Sequence, residues 1–335
     1  MLRILGMCAA LGLMAGTASA EIEEMTLRYA VHVPENNVVS DSDKFFAEKV
    51  EELSGGKIKV DIYWNRALGR QAEMLPLISA GAVDFTTLET GQYGETPVVG
   101  FGNSLPMTFF DAREMVTISR GLYEEVAPIQ EEMERIGATM IWVRHLPNYR
   151  LICREPYKTM ADLRGKKLRS YGAYVPIMWQ SIGANPVNVV ATEIYDGLAK
   201  GVIDCAYLPI PFLSSYKLYE PAPYLLDLKL GMIEYAPTLV PTVVWNNWSE
   251  EVQEIVREAG RQAEEFAISQ TEENTDAMEA DMIAAGATLV TFEEKDAFKA
   301  AVPDMIEEWA KRQREQGRPA AADAVSNYVR SRMSN

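Results

Sequence analysis

KKLRSYGAYVPIMWQSIGANPVNVVATEIYDGLAKGVIDCAYLP, residues 166–209, decides the fold because its pattern changes repeatedly within a short span. KKLRSY (166–171) reads as a short strand and 174–182 as a helix. ANPVNV (184–189) reads as a strand, TEIYDGLAK (192–200) as a helix capped by Thr192, and VIDCAYLP (202–209) as a third strand. Alternation of this kind predicts a largely parallel sheet with helices on both faces.

The same order occurs near the start. MTLRYAVHV (25–33) alternates as a strand does. Residues 41–54 carry Phe45, Phe46, Val50 and Leu53 at helical spacing, with Asp41 or Ser42 as cap and Gly55-Gly56 as stop. KIKVDIYW (57–64) is a second strand, 70–80 a short helix ending at Gly81, and AVDFTTLE (82–89) a third strand. ATMIWVRHL (138–146) and YRLICRE (149–155) read as strands parted by Pro147-Asn148. From 248 the chain is helical, with Gly260 and the polar 269–276 stretch expected to bend the longest run. Two such blocks predict an α/β fold of two similar lobes with a cleft between them.

MLRILGMCAALGLMAGTASA (1–20) has one early cation, an apolar run and a small-residue ending, the layout of a secretory leader cleaved after Ala20. The run is shorter than the roughly 20 apolar residues a membrane span needs. The formal net charge of −16 argues against nucleic acid or an anionic membrane as partner, since both require a basic face. On length alone, 335 residues suit two domains. Cys153 and Cys205 remain after the leader in an oxidising compartment; sequence alone leaves their pairing open.

Catalysis is hard to build from this chain. The two histidines, His32 and His145, lie near no nucleophile motif, and there is no P-loop, G-x-S-x-G or metal-ligand spacing. No metal or cofactor is expected. Arg169 is the better lead, because it ends a short strand, and ligands of open α/β sheets bind beyond such ends. A guanidinium presents a planar fork to a carboxylate and stays charged when partly desolvated. Arg164, Lys166 and Lys167 solvate the turn before it.

SGGKIKVDIYWNRALG (54–69) with GAVDF (81–85), and ADLRGKKLRS (161–170) with IGANPVNVVATEIYDGLAKGVID (182–204), resemble the solute-binding proteins of TRAP (tripartite ATP-independent periplasmic) transporters, the DctP-like family. The resemblance runs from about residue 26 to about 310. It implies a periplasmic two-lobe (Venus-flytrap) binding protein that captures a small organic acid and hands it to a membrane permease. The long helix would span both lobes and bend as they close. Lobe I would comprise 24–147 plus 234–272, and lobe II 148–233 plus 273–330. A monomer is expected.

Within that resemblance Arg169 is the carboxylate clamp, serving the ligand rather than the core, so its loss should leave the fold intact. Glu89 matches a cleft carboxylate, Gln92 follows it, and His32 matches a position that often touches ligand. A second cleft arginine would be Arg150, or Tyr149 would stand there, depending on a one-residue shift. Tyr171 and Tyr207 are pocket candidates, whereas Trp179, Trp245 and Trp248 read as packing residues. Cys205-Ala206-Tyr207-Leu208 stands where many relatives have Gly-Gln-Glu-Asn, a departure that leaves the ligand open among dicarboxylates, hydroxy or keto acids and amine-bearing acids. Glu89 beside aromatics would also suit an amine-bearing or quaternary-ammonium acid. Two rivals remain: an exported enzyme pairing Glu89 with His32, and a binding protein with no permease.

Overall fold

The computed structural model describes residues 22–36, 39–103, 105–234 and 236–333. The predicted leader lies outside them. β1 (Met25–Ala30), α1 (Ser40–Leu53), β2 (Ile58–Tyr63), α2 (Met74–Ser79) and β3 (Phe85–Thr87) follow in the expected order. Leu27 and Tyr29 of β1 point inward while Thr26 and Arg28 are exposed, so the period of two is met. Phe46 and Val50, one helical turn apart, bury the inner stripe of α1. The helix stops where Gly56 N–H donates to Glu51 O at 2.8 Å and Gly55 takes φ 62°, a region that β-carbon-bearing residues resist. Its start differs from expectation. Val39 occupies the cap position, which leaves Asp41 and Ser42 inside the first turn.

α3 (Ala112–Glu125) and α4 (Ala127–Ile136) lead into β4 (Ala138–Trp142), where the strand expected over 138–146 breaks. Arg144 is buried on Asp43, with Nη1 2.8 Å from Oδ2. The next two residues form β5 (His145–Leu146), which leaves the first sheet and crosses to the second lobe. There the chain runs through β6 (Tyr149–Cys153), α5 (Met160–Leu163), β7 (Lys167–Ser170), α6 (Val175–Ser181), β8 (Asn185–Asn188), α7 (Ile194–Ala199), β9 (Cys205–Pro209), α8 (Ile210–Ser215) and β10 (Tyr224–Leu226). Thr192 lies inside a short turn that starts at Ala191, so it does not stand at the cap position expected of it. β11 (Ile233–Glu234) crosses back antiparallel to β5, with Glu234 opposite His145. β12 (Thr238–Pro241) enters the first sheet, and α9 (Thr242–Asn247) and α10 (Glu250–Ala284) follow. β13 (Thr288–Val290), α11 (Lys295–Ala301), α12 (Met305–Glu315) and α13 (Pro319–Arg332) complete the chain.

The first sheet has the order β2-β1-β3-β12-β4 and the second β13-β10-β6-β9-β7-β8. β1 runs parallel to β2 and β3, and β7 parallel to β8 and β9, as the alternation predicts. Both sheets are nevertheless mixed. β12 and β6 arrive from the other lobe and enter at the opposite end, so they lie antiparallel to β3 and β9. Cys153 of β6 and Cys205 of β9 are opposite residues in that ladder and form a disulfide.

α10 runs unbroken for 35 residues, about 50 Å at the usual rise per residue. Its first half buries Val252, Val256, Ala259 and Ala263 in the first-lobe core, and Met282 near its end joins the second-lobe core. Gly260 serves close approach. A β-carbon there would meet the Ile141 carbonyl oxygen at 3.0 Å, so the glycine lets the helix backbone lie on β4. α12 and α13 pack on the first-lobe side, with Trp309 edge-on to Phe101 and Tyr328 bonded to Glu125 of α3. Among the described residues no helix is long and apolar enough to cross a membrane.

Candidate functional site

β7 delivers Arg169 into the second-lobe sheet, where the residue is only 6% exposed. Its Nε donates to Val189 O at 3.1 Å and its Nη1 to Tyr207 O at 3.0 Å. The guanidinium lies over the Tyr171 ring, 4.6 Å from its centroid. Trp179, fully buried on α6, donates its indole N–H to Arg169 O at 3.1 Å and so fixes the strand beneath it. Among the described residues no carboxylate pairs with Arg169. Burial holds its pKa below the ordinary guanidinium value, with the surrounding tyrosines pulling the other way. Guanidinium is basic enough to stay charged there. The result is a buried cation whose fixed partners are neutral. Its two bonds to backbone carbonyls also revise the expectation that Arg169 serves the ligand alone.

Three tyrosines surround it. The Tyr149 and Tyr207 rings stand 4.5 Å apart, and Tyr171 lies 6.1 Å from Tyr207. Tyr207 is fully buried, and its hydroxyl has no partner among the described residues. Burial pushes the pKa of Tyr149 and Tyr207 far up, so both stay protonated. Strand parity explains why Tyr149 is here and Arg150 is not, because successive residues of β6 face opposite sides. Arg150 turns away, with Nε on Leu226 O at 2.9 Å and Nη1 on Glu279 of α10 at 3.1 Å. The structure therefore does not bring Arg150 to the Arg169 group.

From the first lobe, Glu89 follows β3, and its charge acts on the Tyr171 hydroxyl in the direction that raises its pKa. One oxygen lies 3.0 Å from Nε2 of His32, just past β1, and the other accepts from Gln71 Nε2 at 2.6 Å. The Gln71 carbonyl accepts in turn from the Tyr93 hydroxyl. Nδ1 of His32 is buried without a partner among the described residues. Gln92 is exposed, and its N–H donates to Glu89 O at 2.9 Å. The structure thus assembles Arg169, Tyr171 and Tyr207 on one lobe against Glu89, His32 and Gln92 on the other. Gln71 escaped sequence reasoning because nothing in RQAEM (70–74) distinguishes it from any polar residue at a helix start. Among the described residues no group of His, Cys, Asp and Glu could hold a metal ion.

Residues 29–313 match the family described as bacterial extracellular solute-binding protein, family 7 (DctP). A solute-binding protein of Chromohalobacter salexigens is 28% identical over 269 residues, covering 79% of this chain and 78% of its own. The 2,3-diketo-L-gulonate-binding periplasmic protein YiaO of Escherichia coli K12 is 23% identical over 300 residues, covering 88% of this chain and 89% of its own. Among solved structures, a TRAP periplasmic solute-binding protein from Sulfitobacter sp. NAS-14.1 with bound β-D-galacturonate superposes with a TM-score of 0.72 at 22% identity. It aligns over 92% of this chain and 100% of that one. These relatives and neighbours are solute-binding proteins, not enzymes. With its two sheet-bearing lobes and its long shared helix, the chain belongs to the bacterial extracellular solute-binding proteins of family 7.

Proposed function

We propose that this chain captures a small organic acid in the periplasm and delivers it, as a monomer, to a TRAP-type membrane permease. Arg169 clamps the ligand carboxylate. The observation that carries this reading is a buried guanidinium with no carboxylate beside it among the described residues. Burying an unpaired charge costs several kcal/mol, roughly, and an incoming anion removes that cost. Tyr171 provides a flat wall beneath the fork, and the Tyr207 hydroxyl offers an unused hydrogen bond. Closure follows from the division of the site, since Glu89, His32 and Gln92 stand on one lobe and the clamp on the other. We place the lobe boundaries at the β5–β11 crossing, with α12 and α13 moving with the first lobe on which they pack.

Glu89 narrows the ligand class. Each of its oxygens takes one bond, from His32 or Gln71, which leaves further acceptor capacity, so the acid should carry a hydrogen-bond donor at its other end. A hydroxy acid satisfies this. An amine-bearing or quaternary-ammonium acid is the second reading, favoured by the tyrosines gathered opposite Glu89. The bound acids of the relatives, among them 2,3-diketo-L-gulonate and galacturonate, support a small oxygenated acid as the cargo. The test is a thermal-shift screen of hydroxy, keto, amino and betaine-type acids. Hits are then followed by small-angle scattering, which should report a smaller radius of gyration at saturation. A saturating acid that leaves the radius unchanged refutes closure, and a screen in which only bases or neutral solutes bind refutes the acid assignment.

A further inference from the structure

A cavity of about 360 Å³ opens beside the Arg169 group and shares Tyr171 with it. Gln92 and Asn103 line it from the first lobe, Tyr174 from the second, and Arg312 and Arg318 from the C-terminal helices. These two arginines stand apart from their neighbours. Arg314 is held by Glu307 and Asp323, Arg330 by Asp304, and Arg332 by Glu125. Arg318 instead donates to the side-chain amides of Gln313 and Gln316, and Arg312 forms no ion pair among the described residues. Both line the cavity together with Tyr174, and both act on the Tyr174 hydroxyl in the direction that favours negative charge. Glu308, a helical turn before Arg312, acts on that hydroxyl with the opposite sign but does not line the cavity. The chain has 48 acidic residues against 32 Lys and Arg, so two cations left without carboxylates beside one polar cavity are conspicuous.

Unneutralised guanidiniums facing a polar, partly enclosed space make a site for an oxyanion, and the low-dielectric walls strengthen their field there. We propose that the Arg312–Arg318 cavity is a second carboxylate-binding site, adjoining the Arg169 clamp, that holds an acid group at the edge of the cleft. The choice of a carboxylate, rather than another anion, rests on the cargo proposed above. Tyr171 lines this cavity and carries the Arg169 guanidinium over its ring, so the two sites adjoin through one side chain.

The probe is malonate, titrated into the full mature chain at low ionic strength. The readouts are the side-chain Nε–H resonances of Arg312, Arg318 and Arg169 in nitrogen-15 spectra. Malonate is expected to shift Arg312 and Arg318 saturably. Arg312→Gln/Arg318→Gln should weaken that binding at least tenfold, and it should persist in Arg169→Ala. Arg312 is exposed, so Arg312→Gln alone supplies a folded control and should weaken binding several-fold. No saturable shift at Arg312 and Arg318, or equal binding in the double variant, overturns the second site. Malonate reporting only at Arg169 also overturns it, while leaving the clamp reading intact. Loss of the clamp reading would appear separately, as an Arg169 resonance that no acid moves.

Discussion

Arg169→Ala tests the clamp and the fold in one variant, and the structure sets the size of both effects. The side chain donates to Val189 O and Tyr207 O, and both carbonyls are deep in the second lobe. Stranding two buried acceptors costs about 2–6 kcal/mol, and removing the buried unpaired charge returns part of it, so the net loss without ligand is about 1–3 kcal/mol. For a domain of ordinary size a loss like that is tolerable but visible as a lower Tm. Binding should suffer more. Truncating one partner of a desolvated charge pair costs about 2–5 kcal/mol, roughly a 30- to 5,000-fold weakening. Arg169→Lys restores charge without the fork, so it should recover little of either, because a point charge cannot reach both carbonyls and the ligand together. Calorimetry of each variant with the best acid from the screen, beside melting curves without ligand, separates the two effects. Unchanged affinity in a folded Arg169→Ala protein would refute the reasoning, whatever happens to its Tm.

Glu89→Gln keeps the shape of the site and removes its negative charge; it should weaken a cationic acid strongly and a neutral hydroxy acid little. Equal affinity for every acid that binds would show Glu89 to be held for structure alone. Glu234, fully buried on the crossing strand β11 and bonded to the Tyr123 hydroxyl at 3.0 Å, has no cation beside it among the described residues. Burial pushes its pKa up from 4.5 to about 7. The folded state then holds a proton that the unfolded state has released, so its contribution is full below about pH 4.5 and is lost as pH rises to about 7. That shift corresponds to about 3 kcal/mol. Glu234→Gln should therefore gain stability relative to the parent above pH 7 and converge with it in acid, as read by urea melts across that range; parallel curves would contradict it. Reducing the Cys153–Cys205 bond, which closes a separation of 52 residues, should lower stability by about 2–4 kcal/mol, with calorimetric scans under reductant as the check.

Local periodicity alone specified much of this molecule. The alternation of β1, the stripe of Phe46 and Val50 on α1, and the strand–helix order around Arg169 are properties of neighbours in the chain, and side-chain geometry enforces them wherever the segment lies. The family motif around Arg169 was legible for the same reason, since its strand, turn and helix are contiguous. Other features depended on residues far apart. Whether β6 turns Tyr149 or Arg150 toward Arg169 is a question of parity, and only pairing with β9 answers it. The disulfide needed Cys153 and Cys205 to be opposite in that ladder. Gln71 joins His32 on Glu89 only because three separate loops converge beyond one sheet. Gly260 reads as a weak point in a helix until β4 is seen lying against it. Arg312 and Arg318 are two among many charges on the C-terminal helices until the fold carries those helices to the edge of the cleft, where, among the described residues, they lack the carboxylates that neutralise their neighbours. Such contacts are set by packing between distant segments, which no local pattern encodes.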